Sequence, residues 1–258
     1  FTHLQPAEPT TYGYRFASIL QDLEVDFQAL TVLKDEFKGK GFKGAVGNAA
    51  PFIELLQDPD LFEKFENSIS IKIGLPFFQI ATQTYTRKQE LTLINALANL
   101  AGTVYKAALD MRLLQSAVFS EVSEPFADNQ VGSSAMPFKR NPIQLEKIDS
   151  LARLISTYPS VAWGNYAHSM LERTLDDSAN RRTMLPESFL ISDEILLSLN
   201  NIINGLNIKN SFIQANLEKF APFSATEKVM LMAVKNGGDR QVIHERLREH
   251  AMTAWQRI

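Results

Sequence analysis

Residues 87–115 read RKQELTLINALANLAGTVYKAALDMRLLQ. Leu91, Ile94, Leu97, Ala98, Ala101, Val104, Tyr105, Ala108 and Met111 recur there at steps of three and four with no proline between them, the stripe of an amphipathic helix. At 1.5 Å per residue such a helix runs roughly 40 Å. Helices of that length pack lengthwise in bundles.

The same period extends outward on both sides. From Thr10 to Lys38 the stripe is Phe16, Ile19, Leu20, Leu23, Phe27, Leu30 and Phe37, opened by Pro9 and closed by Gly39. A third apolar segment follows Pro142 (Leu145, Ile148, Leu151, Leu154, Ile155), and a fourth is expected from Pro186 through Phe189, Leu190, Ile195, Leu196, Leu199 and Ile202. Nothing alternates as a strand would, so the expected class is all-α. Gly39, Gly41, Gly44 and Gly47 punctuate the region between the first two helices, but without the G-x-x-x-x-G-K-[ST] spacing or a preceding strand they predict a flexible connector and not a phosphate loop. Near Asn207 to Asn210 the long helices are expected to give way to shorter segments. This divides the chain into a central bundle, residues 1–207, and the start of a smaller helical domain, residues 208–258.

Composition excludes several classes of function. A net charge of −3 argues against non-specific nucleic-acid binding, which needs a basic face to displace counterions. The absence of cysteine removes disulfides and thiolate metal sites and suits a cytoplasmic location. No run of eighteen or more apolar residues occurs, so no membrane partner is expected. No cluster of His and Asp has ligand spacing, so neither metal nor organic cofactor is expected.

The chemistry concentrates in Gly132-Ser133-Ser134-Ala135-Met136-Pro137-Phe138-Lys139-Arg140-Asn141-Pro142. Glycine and two prolines make this a loop, and it gathers hydroxyls, cations and an amide on a segment able to close over a ligand. A polar, solvated connector would have the same composition. The string matches G-S-S-x-M-P-x-K-x-N-P at eight fixed positions and so resembles the signature of the fumarase/aspartase superfamily. Within it, Thr2-His3-Leu4-Gln5-Pro6-Ala7, Gln83-Thr84-Tyr85-Thr86-Arg87-Lys88 and the segment from Glu172 to Arg182, ERTLDDSANRR, resemble the adenylosuccinate lyase family. Met232 to Lys235, Gly237-Gly238 and Arg240-Gln241 agree with it.

That resemblance implies a long-helix bundle forming a homotetramer with sites shared between subunits. It implies β-elimination of fumarate from adenylosuccinate, giving AMP, and from the succinyl-carboxamide ribotide of purine biosynthesis. Ser133 is then the base, Lys139 and Asn141 hold the charge of the aci-carbanion, and Ser134 supports the loop or binds a carboxylate. His3 is the general acid, since histidine titrates near neutral pH, and Glu146 orients it. Arg173, Ser178 and Arg182 bind the nucleotide phosphate, for which the guanidinium fork is well shaped. Gln83 and Thr2 contact the purine or succinyl parts. His168, His244 and His250 are read as structural. At Lys147 some relatives carry arginine, a planar fork where this chain has a point charge, so no substrate contact is carried over to it. The resemblance also implies a second catalytic histidine and a binding loop before His3, and helices after Ile258, so the chain is expected to be part of a longer polypeptide that is inactive without them. Two rivals are a lyase for argininosuccinate or another succinyl amine, which would not need the phosphate cluster, and a non-catalytic helical scaffold, which would not need intact motifs.

Overall fold

The computed structural model describes residues 1–127, 130 and 132–257. Its elements in order are α1 (Tyr12–Glu36), α2 (Ala50–Leu56), α3 (Pro59–Ile73), α4 (Lys88–Gln115), β1 (Val122–Ser123), α5 (Ile143–Ile155), α6 (Tyr158–Ala167), α7 (Ser178–Asn204), β2 (Asn207–Ile208), α8 (Asn210–Lys235) and α9 (Arg240–Trp255). Among the described residues the protein is all-α apart from two isolated bridges, Thr2 with Gln5 and Gly39 with Phe77, and one antiparallel ladder of two residues a side, Val122 opposite Ile208 and Ser123 opposite Asn207. No helix among the described residues is long and apolar enough to cross a membrane.

Two compact units emerge. One contains residues 19–109 and 143–204. In it α4 buries Ile94, Leu97, Ala101, Val104 and Ala108, the stripe expected from its sequence. Helix α5 packs along α7 through Leu145, Ile148, Ala152 and Ile155 against Ile191, Ile195, Leu199 and Ile202. Buried Ser188 and Ser192 return their hydroxyls to the carbonyls of Met184 and Ser188, each at 2.7 Å, which leaves no unmet donor on the packed face.

Helix α7 begins at Ser178, well before the expected start at Pro186, which lies inside it. Proline removes one backbone donor and crowds the carbonyl four residues earlier, yet a helix held on both sides of it by buried side chains continues. The buried face is correspondingly rotated from the expected stripe: Phe189, Leu190 and Leu196 are exposed. The glycine-rich stretch is not a free tether either. Glu66 of α3 accepts from the Phe42 N–H at 2.8 Å and from Lys43 Nζ at 2.7 Å, and Phe42 packs edge-on against Phe65 and Phe77. At Gly47, with φ of +87°, a Cβ would lie 1.8 Å from the Ala81 carbonyl oxygen, so only glycine fits.

The other unit contains residues 1–18, 110–142 and 205–258. Phe1 packs edge-on against Phe119 and Phe220, and Trp255 of α9 closes on Phe220 and Phe223 of α8. Buried Glu121 accepts from Tyr12 Oη at 2.7 Å and from Asn216 Nδ2 at 3.0 Å, while its carbonyl takes the Lys209 N–H. Helix α8, with 26 residues, matches the long helices before it and departs from the shorter segments expected there, whereas α9 has 16.

Candidate active site

In the unit that contains the N-terminus, the 132–142 loop is folded back on itself. Asn141 Nδ2 donates to the Gly132 carbonyl at 3.1 Å, and the backbone at Gly132 lies so near Lys139 that a Cβ would sit 2.1 Å from the Lys139 carbonyl oxygen. Gln115, at the end of α4, donates to the Arg140 carbonyl at 3.2 Å and accepts from the Glu124 N–H at 2.8 Å. The Arg140 guanidinium lies 4.9 Å over the Phe126 ring. The loop's two ends are thereby brought together.

Ser133 is half-buried, and its Oγ accepts the Met136 N–H at 3.1 Å. A backbone donor aimed at that oxygen favours its anionic form. Ser134 and the Lys139 side chain are exposed, and Asn141 is half-buried.

Thr2 and His3 lie on a tight turn closed by paired bonds between the backbones of Thr2 and Gln5, at 2.9 and 2.8 Å. His3 and Leu4 have φ of 52° and 60°, and the imidazole is exposed on the turn. Left-handed backbone at two non-glycine residues is uncommon and clusters at functional sites. None of the hydrogen bonds among the described residues joins this turn to the 132–142 loop.

In the other unit, the segments 83–90 and 172–182 meet. The Gln83 N–H donates to the Glu172 carbonyl at 3.2 Å, which places exposed Gln83 beside Arg173. Arg173 Nη1 donates to Asp177 Oδ1 at 2.8 Å, and Arg87 Nε, at the start of α4, donates to Asp177 Oδ2 at 2.5 Å. Arg181 grips both oxygens of Glu90, with Nε to Oε2 at 2.6 Å, and its Nη2 donates to Tyr85 Oη at 3.1 Å. Tyr85 in turn donates to Glu90, and Arg87 Nη1 reaches Glu90 Oε1 at 3.3 Å.

Burial alone would raise the Asp177 carboxyl, but hydrogen bonds from Arg87 and Arg173 outweigh it and hold the group below the usual carboxylate range. Burial and the bond to Glu90 push the Tyr85 phenol up, so it stays a donor. Ser178 is the first residue of α7, and Arg182 stands exposed a turn further on. Glu146 lies in the first turn of α5, also exposed. Its neighbour Lys147 pairs with Glu194 at 2.7 Å.

The network of Tyr85, Arg87, Glu90, Asp177 and Arg181 was not among the residues singled out from sequence. Four of the five fall inside the two quoted motifs, so treating those motifs as partners would have found them. Glu90 could not be told from a solvated helix glutamate. Beside Asp177 lies a cavity of about 340 Å³ bordered also by His168, Thr174 and the amides of Asn165 and Asn180, which bond to each other at 2.8 Å both ways.

The chain belongs to the lyase family, whose model matches residues 1–156. Among curated proteins it is 44% identical over 257 residues to the adenylosuccinate lyase of Schistosoma mansoni, covering 98% of this chain and 53% of that protein. It is 38% identical to the adenylosuccinate lyase of Schizosaccharomyces pombe (96% of this chain, 52% of that protein) and 37% identical to that of Pyrococcus abyssi (99% and 55%). The chain thus spans about half the length of the curated relatives it matches. Its fold is shared with the 3-carboxy-cis,cis-muconate lactonizing enzyme of Pseudomonas putida, with a TM-score of 0.84 at 23% identity over 98% of this chain and 55% of that one. A fumarate lyase from Mesorhizobium also has a TM-score of 0.84, at 22% identity over 99% and 55%.

Proposed function

We propose that the protein is an adenylosuccinate lyase, releasing fumarate from adenylosuccinate to leave AMP, and from the succinyl-carboxamide ribotide of purine synthesis. The observation that carries this reading is 44% identity to such an enzyme along 98% of the chain. The intact 132–142 signature supports it.

In this reading Ser133 removes the proton from the carbon next to a succinyl carboxylate. The electron pair left behind is held as an aci-carbanion by Lys139 and Asn141, where charge develops and electrostatic stabilisation contributes most. The C–N bond then breaks, fumarate forms, and His3 protonates the departing nitrogen, with Glu146 orienting the imidazole. Ser134 holds a carboxylate or the loop. Arg173, Ser178 and Arg182 take the nucleotide phosphate, at the N-terminal end of α7, where the positive end of the helix favours an anion. Gln83 and Thr2 contact the purine or succinyl parts. The protein acts in the cytoplasm as a homotetramer with shared sites, its central bundle formed by residues 1–207 and a smaller helical domain beginning at 208.

The test is a fumarate-release assay on the whole protein with adenylosuccinate and argininosuccinate side by side. Turnover of the first alone is the expected result; turnover of argininosuccinate, or of neither, would refute the reading.

A further inference from the structure

We infer that Asp177 and Arg87 are positioning residues that hold the Arg173 guanidinium in place for the nucleotide phosphate. The inference rests on the phosphate role of Arg173 proposed above and adds what fixes that side chain.

Arg173 sits in the connection between α6 and α7, where backbone alone does not immobilise a long flexible side chain. Its one ion-pair partner among the described residues is Asp177, four residues on, which it meets with a single nitrogen at 2.8 Å. The rest of its donor fork stays open to another anion. Asp177 is itself buried, and its second oxygen is occupied by Arg87 at 2.5 Å. Arg87 is 5% exposed and is turned toward the carboxylate by a second bond, to Glu90, and by the Tyr85 ring 4.8 Å from its guanidinium carbon. The partner of Arg173 is therefore itself held.

The charges point the same way. Three guanidinium groups (Arg87, Arg173, Arg181) face two carboxylates (Glu90, Asp177), so the network has one cation more than it neutralises. Arg87 is the most buried cation, and Arg173 and Arg181 are the more accessible ones, with side chains 21% and 19% exposed. Arg173 is also the one that gives only a single nitrogen to the network. The unneutralised charge is thus presented where a phosphate can reach it, on a side chain whose geometry Asp177 sets. A residue that only stabilised the fold would not need to be shared between a buried arginine and an accessible one.

The experiment is calorimetric titration of AMP and of adenosine into the whole protein and into its Asp177→Asn, Arg87→Lys and Arg173→Ala variants, with Asp177→Asn and Arg87→Lys also made on the Arg173→Ala background. Losing a charge-assisted bond that orients the fork should weaken AMP about tenfold. Adenosine should move less than about twofold, because only the phosphate is affected, and on the Arg173→Ala background neither change should weaken AMP further. Parallel losses for AMP and adenosine, unchanged AMP, or full additivity with Arg173→Ala would overturn the inference. If Asp177→Asn does not fold, the Arg87→Lys cycle decides by the same criteria. Should Arg173→Ala itself leave AMP binding intact, the phosphate reading fails and takes the inference with it; a loss there with additive Asp177→Asn sinks the inference alone.

Discussion

Ser133 has one backbone N–H directed at its oxygen, that of Met136 at 3.1 Å, and a hydroxyl must be turned into a base by such donors and by nearby cations. If Ser133 is the base, Ser133→Ala should lower kcat by at least about a thousandfold while AMP affinity stays within about tenfold, since a lost base acts on the transition state. Single-turnover fumarate release beside AMP titration reads both, and activity within tenfold of the parent would remove Ser133 from the role. At the other titrating centre the sign is fixed by the direction of the shift. The Asp177 carboxyl lies below its ordinary value of 3.8 in the folded protein, so its stabilising contribution is complete above that value and is lost as pH falls through the lower folded one. Between about pH 5 and pH 2, urea midpoints should fall more steeply for the parent than for Asp177→Asn. Equal slopes would show that the carboxylate is not coupled to folding. The loop residues and both arginines of the phosphate reading could be singled out because their motifs are contiguous in sequence. Arg87 and Asp177 lie inside those motifs but their partnership spans about ninety residues, and Glu90 lies outside them, so its role depends on burial that no local pattern encodes.

Among the elements, α4 was legible almost residue by residue, since one uninterrupted stripe became one buried face. Helix α7 was half legible: Ile195, Leu199 and Ile202 are buried as expected, but Pro186 was given the weight of a helix start, whereas packing against α5 carries the helix through it. Helices α2 and α3 were hidden by the glycines beside them, whose conformations are set by contacts from Glu66 and Ala81 that lie far along the chain. Two glycines separate fold from function at this scale. Gly47→Ala drives a Cβ into the Ala81 carbonyl at a left-handed residue, and should cost more than about 2 kcal/mol of unfolding free energy. Gly132→Ala meets the Lys139 carbonyl inside a loop, and should abolish turnover while shifting the melting temperature by less than about 3 °C. Thermal melts and the fumarate assay on both variants check the pair; a reversed pattern would mean that the loop, not the connector, is structural.

For the molecule as a whole, the informative surface is apolar. Phe27 is 70% exposed and Leu20 65% on α1, with Leu190 69% and Leu197 54% on α7. If those faces meet other copies in the proposed tetramer, a Leu20→Asp and Phe27→Asp double variant should elute as smaller species in size-exclusion chromatography with light scattering. An unchanged tetramer would place the interface elsewhere. The net charge of −3 contrasts with the local excess of one cation among Arg87, Arg173, Arg181, Glu90 and Asp177. If the nucleotide phosphate binds at Arg173 as proposed, it must displace the small ion atmosphere that this excess collects in solution. Nucleotide capture should therefore slow and weaken as sodium chloride is raised, with simple anions competing for the same place, while a nucleoside lacking the phosphate would be indifferent to the ionic medium.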